Sequence, residues 1–362
     1  MAIEFSTARW TKIKNDARQW WAGTLPRPLI QAYVKGKPPG RVPPRQPAKS
    51  YTAQYPFSVS AEEIVDVWDY ELASVEFLGD AFPSVVPNFG PGIMAAFMGA
   101  DVQTTRHTVW FKPQTICELS DVQFDYDAQN PWLERVRACY WAALDRWQGQ
   151  VLLGMTDLGG NLDVLSTFRP GEQLLLDLYD HPEDVKRQTW KVHAMWWRYF
   201  EEFNALLQPV NPGYSAWCRY YSDMPFYILQ CDFCYMISPA MFDEFVLPEL
   251  TASCRKLGNA FYHLDGPGQL PHLDSLLSIP ELKGIQWVPG RGQPDVTHWL
   301  DIFRRIRAAG KLLQLGLDGL WALDAIAEAL GSAAGIITVD TIPMERKAEA
   351  VEILRRHGAD VQ

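Results

Sequence analysis

Five aspartates and one histidine stand directly behind apolar runs in this 362-residue chain. Met155-Thr156 leads to Asp157, Leu229-Gln230-Cys231 to Asp232, and Phe261-Tyr262 to His263 and Asp265; Gly316-Leu317 leads to Asp318 and Thr338-Val339 to Asp340. Paired carboxylates beside an imidazole can move protons in general acid–base chemistry, and Asp232, His263 and Asp265 are the candidate catalytic groups. His263 and Asp265 are two residues apart, so on a strand both side chains face the same way. Asn88, Asp157, Asn161, Tyr262, Trp287 and Asp318 are the candidate substrate-binding residues. Of these, Trp287 offers an aromatic platform, and the polar segment around Gly159-Gly160 offers a cradle or a simple turn.

These groups meet only if the runs before them lie side by side. Strand-like apolar runs occur at 151–155, 227–229, 260–262, 284–288, 312–317 and 335–339, with helix-like segments at 239–257, 296–309 and 322–330 between them. The last four runs start 24, 28 and 23 residues apart, the length of one strand, one helix and two loops in a parallel sheet. Continuous rather than alternating apolar character fits strands covered on both faces. The expected fold is α/β, a (β/α)8 TIM barrel with an N-terminal helical and loop extension. Residues 1–60 are read as an arm and loop, and residues 61–362 as the barrel. In such a barrel the carboxyl ends of the strands share one mouth, where catalytic groups sit.

Composition removes several function classes. A net charge of −10 leaves no basic excess to displace counterions from nucleic-acid phosphates, and 13% aromatic residues are not those of a disordered chain. No run reaches the ~20 apolar residues that cross a bilayer, and the first residues lack the apolar core of a signal peptide. Six cysteines in so long a chain suggest no disulfide framework, and Cys231-Asp232-Phe233-Cys234 has no second pair to complete a zinc motif. A cytoplasmic location follows as the expectation. Trp190, Trp196 and Trp197 recur at helical spacing, which suits core packing or a homodimer face.

The sequence resembles the uroporphyrinogen decarboxylase superfamily. Trp20-Trp21-Ala22-Gly23-Thr24-Leu25-Pro26-Arg27-Pro28, Met236-Ile237-Ser238-Pro239-Ala240-Met241-Phe242, Tyr262-His263-Leu264-Asp265-Gly266-Pro267-Gly268 and Ile285-Gln286-Trp287-Val288-Pro289-Gly290 carry the resemblance. True decarboxylases of this superfamily have an N-terminal Arg-Gln-Ala-Gly-Arg motif; Pro44-Arg45-Gln46-Pro47-Ala48 is the nearest string here and lacks the second arginine. A polyanionic tetrapyrrole would also be repelled by an acidic mouth. The branch resembled is instead that of methyltransferases serving corrinoid proteins and coenzyme M. Where that branch has a His-x-Cys pair and a later Cys as zinc ligands, this chain has His263-x-Asp265 and, at the best-matching later position, Asp340. The resemblance thus implies zinc or another divalent metal on His263, Asp265 and Asp340, with the carboxylates shifting preference toward harder ions. It implies a small-molecule substrate and a corrinoid carried on a small partner protein.

Two other readings stay open on the sequence. Asp232 and Asp265 as acid and base, with Trp287, Asp318 and Asn88 holding hydroxyls or ring faces, describe a hydrolase or lyase acting on a carbohydrate-like or polyol substrate. A non-catalytic binder of a small polar ligand on the same fold is the third, since a fold alone does not fix function.

Overall fold

The computed structural model describes residues 3, 5–316 and 318–361. The strands are β1 (Leu29–Lys35), β2 (Val75–Gly79), β3 (Ser84–Val85), β4 (Asp101–Thr104), β5 (Val109–Lys112), β6 (Leu152–Leu153), β7 (Phe226–Leu229), β8 (Asn259–Asp265), β9 (Leu282–Val288), β10 (Leu312–Gln314) and β11 (Ile336–Pro343). Seven of them form one sheet in the order β2-β1-β11-β10-β9-β8-β7, parallel throughout except for β1 and β2. Helices Pro239–Phe245, Leu247–Lys256, Leu273–Leu277, Leu300–Ala308 and Gly319–Leu330 fall between the successive strands from β7 to β11. The strand–helix alternation expected of the C-terminal half is therefore present; Leu317, the last residue of the expected run 312–317, lies outside the described residues.

Two expectations need correction. The first 60 residues are not simply an arm: β1 lies within them and is a central strand, paired with β11 from Leu29↔Ile337 to Lys35↔Pro343. Nor, among the described residues, do the ladders run through eight parallel strands. There β3 pairs only with β6, as a separate two-stranded sheet. The other edge of β1 carries the antiparallel β2. Between β6 and β7 the segment 211–217 intervenes. Leu153 N–H donates to Asn211 Oδ1 at 2.9 Å, Asn211 Nδ2 donates to the Leu153 carbonyl at 2.8 Å, and Met155 N–H donates to the Ser215 carbonyl at 3.0 Å. Trp217 Nε1 then reaches the Ile228 carbonyl of β7 at 3.3 Å. Side chains and an irregular segment thus satisfy the strand edges that a continuous ladder would have used. The architecture is mixed α/β around a parallel-rich sheet.

Helix Thr7–Trp21, capped by Ser6 accepting from Arg9 N–H at 3.2 Å, closes the amino end of this sheet. Its final Trp20 and Trp21 are buried, with Nε1 donors on the carbonyls of Ile336 (3.2 Å) and Tyr221 (2.8 Å). They pack with Tyr220, Phe226 and Phe261 into an aromatic floor; the Trp20 and Phe261 rings stack at 5.9 Å. With the amino ends filled, the carboxyl ends remain for chemistry. In helix Pro182–Leu207, Trp196 and Trp197 are buried against Phe200 of the same helix, and Trp190 alone of the three is exposed. Trp196 and Trp197 of the tryptophan stripe are thus internal packing. Among the described residues no helix is long and apolar enough to cross a membrane.

Candidate functional site

Strand β8 alternates as a strand covered on both faces must. Phe261, His263 and Asp265 share one face, with Phe261 in the aromatic floor below, whereas Ala260, Tyr262 and Leu264 share the other. Asp232 arrives three residues beyond the end of β7, as the first residue of a short 3₁₀ turn, Asp232–Met236. One ligand atom from each of Asp232, His263 and Asp265 lies within 4.8 Å of the others. These three candidates are brought together at the carboxyl ends of β7 and β8. His263 and Asp265 are half-buried and Asp232 is open to solvent.

A chain of amides orients the histidine. His263 Nδ1 bonds to Gln286 Oε1, Gln286 Nε2 donates to Gln314 Oε1 at 2.5 Å, and the Tyr220 hydroxyl donates to the same oxygen. Because the Gln286 NH2 is spent on Gln314, its oxygen must accept from His263, which places the proton on Nδ1. Nε2 is left as the free lone pair, the arrangement of a metal-binding imidazole held by a second layer. Register explains the contact, since His263 pairs with Gln286 and Gln286 with Gln314 across β8, β9 and β10. Trp217 stands edge-on to the ring at 5.1 Å.

Acidity concentrates around Asp232. Crowding by protein raises its carboxyl pKa; His263 opposes the rise and Asp265 adds to it. Burial pushes Asp163 up to about 8, with the Asp232 charge adding to the effect, while hydrogen bonds from the Phe233 and Asp232 amides pull against it. Asp157 is pushed up to about 7, again by burial first, against the Gly159 amide and with help from Asp232. Three carboxyls held above their usual range, with the Asp232 charge acting on both of the others, suit either proton storage near neutrality or a cation that relieves the repulsion.

The remaining expected site residues go elsewhere. Asp340 does not join the cluster. In β11 it alternates against Ile337 and Val339, which share the face of Gln314 and Gln31, so its side chain points to the helix layer. There it accepts from Leu320 N–H at 3.2 Å, at the start of helix Gly319–Leu330. Trp287 is adjacent to Gln286 on β9 and faces the opposite way; it is fully buried, 4.9 Å from Trp299, and offers no platform in the mouth. Tyr262 likewise faces outward, its hydroxyl 3.8 Å from Cys234 Sγ and 3.4 Å from Gln269 Oε1. Asn161 is buried under two helices, donating to Glu249 at 2.6 Å and facing His193 Nδ1 at 3.2 Å. Asn88 is exposed and organises its own loop, donating to the Ser50 carbonyl at 3.3 Å and accepting from Gly90 N–H. Asp318 is exposed at the head of helix Gly319–Leu330 with a left-handed φ of 63°.

Gln286, Asp163 and Trp217 were not singled out from the sequence. Gln286 was legible in principle: if His263 faces the mouth, the strand period puts either Gln286 or Trp287 there, never both. Asp163 lay inside the polar segment after Gly159-Gly160, with nothing to show that it would reach the Asp232 turn. Trp217 sits on an irregular segment with no periodic signal.

No family model matches the sequence, and no relative is found among curated proteins. Among solved structures the chain is similar to a methyltransferase from Methanosarcina mazei, with a TM-score of 0.58 and 12% identity over 95% of this chain and 97% of that one. At that identity the likeness establishes a shared fold across nearly the whole length of both chains.

Proposed function

We propose that this chain is a metal-assisted methyltransferase of the uroporphyrinogen decarboxylase superfamily, acting on a small substrate together with a corrinoid carried by a partner protein. The observation that carries the reading is the convergence of Asp232, His263 and Asp265, with the histidine already turned to present Nε2. Three protein ligands with room for another match a catalytic rather than a structural site. Two oxygens and one nitrogen form a harder set than thiolates, so manganese, iron or magnesium competes with zinc. When bound, such an ion supplies Lewis acidity to a substrate heteroatom. Asp232, His263 and Asp265 hold it, Gln286 fixes the imidazole, and Asp163 or Asp157 holds a proton beside the leaving or accepting heteroatom at near-neutral pH. Removal of methyl from an oxygen or nitrogen donor suits this set better than transfer to a thiol.

The structural likeness to a methyltransferase supports the reading at the level of fold. The carbohydrate hydrolase reading is weakened, because its aromatic floor, Trp287, is buried on the far side of β9. The test is metal analysis of protein purified without chelator. Stoichiometric divalent metal, lost in His263→Ala and Asp265→Ala but kept in Asp340→Ala, is the expected result, accompanied by metal-dependent methylation of added cob(I)alamin from a methoxy or methylamine donor. Metal-free protein that rejects added divalent ions would overturn it.

A further inference from the structure

A cavity of about 810 Å3 lies beside the carboxyl end of β1, between the loop 43–50 and helix Ala61–Ala73. The Asp232, His263 and Asp265 side chains do not line it. Its charge is opposite to that of the cluster and of the chain as a whole: Lys35, Arg45, Lys49 and Arg219 line it, with Glu71 as the one acid. Val67, Leu72 and Val85 give it an apolar wall, and Trp68 borders it.

Arg219 is the informative residue. It is half-buried, its guanidinium lies over the Tyr33 ring at 4.7 Å, and it makes no hydrogen bond or close ion pair with any described residue, although its charge and that of Lys35 both act on the Glu71 carboxyl. Arg45 is tied to Glu63 at 3.5 Å, but Lys35, like Arg219, has no carboxylate within salt-bridge distance among the described residues. Five donors held in a rigid planar fork, stacked on a ring and aimed at a cavity, fit a planar anion bidentately; a carboxylate matches that fork. The apolar wall and the volume call for more than a bare anion.

We propose that this cavity binds an organic carboxylate with an apolar, ring-sized body, the carboxylate on Arg219 and Lys35 and the body against Trp68 and the apolar wall. The site adjoins the acidic cluster through one short segment: Trp217, against His263, and Arg219 are two residues apart, with Cys218 between them buried. The inference does not depend on methyl transfer, because its test reads binding and not turnover.

The experiment is isothermal titration of the full chain with 2-naphthoate, its neutral counterpart 2-naphthamide, and inorganic phosphate. Naphthoate should bind at least about tenfold more tightly than the amide, the difference expected of a charge-assisted pair. Arg219→Gln should weaken naphthoate by a similar factor while leaving the amide unchanged, and Arg219→Lys should recover part of the loss. Lys35→Gln, on an exposed side chain, should weaken naphthoate more mildly and reads the same charge dependence if Arg219→Gln does not fold. Equal binding of acid and amide, phosphate as tight as naphthoate, unaltered affinity in both variants, or no binding by any probe would each overturn the proposal.

Discussion

Asp163 holds the Asp232 turn in place: its two carboxylate oxygens accept the backbone N–H groups of Asp232 at 3.0 Å and Phe233 at 2.7 Å. One acid thus positions another through the main chain, across 69 residues of sequence. Gly160 packs tightly between them, a Cβ there falling 2.3 Å from the Gln230 carbonyl and 2.4 Å from Asp163 Oδ2. The approach of helix Asn161–Phe168 to the Asp232 turn thus depends on a missing side chain as well as on the carboxylate.

Asp163→Ala should strand two amides and cost about 1–3 kcal/mol of stability. It should also lower divalent-metal affinity, since Asp232 would lose its anchor. Asp163→Asn keeps one acceptor and should fall between the two. Urea unfolding and metal titration measure the effects; an alanine variant as stable and as metal-competent as the parent would show that the turn holds its shape without the carboxylate.

Gln286 tests whether the amide chain serves the histidine. Gln286→Leu removes the acceptor for His263 Nδ1 while keeping similar bulk. Second-layer partners of metal-binding histidines are typically worth 10–100-fold in affinity, and a loss of about that size is expected here. Tyr220→Phe, two bonds further along the chain, should have a smaller effect. Competition titration against a colorimetric chelator reads both. No change in Gln286→Leu would mean that the imidazole is held by Trp217 packing alone.

The fold was legible where periodicity was strong. Runs after residue 226, separated by helices, became β7 to β11 because continuous apolar character can be buried only between two layers. The arm reading of residues 1–60 hid β1, since a Pro- and Gly-rich loop follows it at once and no crossover helix marks it as a strand of the parallel sheet. Of the candidate site, the convergence of His263, Asp265 and Asp232 was legible because two-residue spacing and strand ends are local signals. Asp340 and Trp287 were misplaced for one reason: a strand end delivers alternate residues to opposite faces, and the choice between 339 and 340, or 286 and 287, is set by register with neighbouring strands. Register is a long-range property that single runs do not display.

Trp287 should behave as a core residue. It is fully buried beside Trp299, and its Nε1 has no hydrogen-bond partner among the described residues. Trp287→Ala should cost about 3–5 kcal/mol, as large-to-small changes at buried aromatic sites do. Trp287→Phe should cost much less and leave metal binding unchanged. Thermal unfolding with parallel metal analysis decides; a phenylalanine variant that keeps its stability but loses metal or ligand binding would return Trp287 to the mouth.

Asp340 should make stability fall with rising pH. Burial raises its carboxyl to about 7, against the hydrogen bond from Leu320 N–H. Unfolded, the same group titrates near pH 4. Between those values the folded chain binds more protons than the unfolded one, so stability is full below about pH 4, declines as pH rises, and reaches its lower plateau above about pH 7. Other ion pairs set the overall profile, so the diagnostic quantity is the difference between parent and Asp340→Asn. The asparagine keeps an oxygen for Leu320 N–H but has no proton to lose. Relative to the parent it should gain about 1–3 kcal/mol on going from about pH 5 to about pH 8.5. Metal content should be unaffected, because Asp340 faces the helix layer. Urea midpoints at the two pH values measure the gain. An equal parent-to-variant difference at both would mean that Asp340 is already ionised in the folded chain, held as a helix cap by the Leu320 amide rather than as a buried neutral acid.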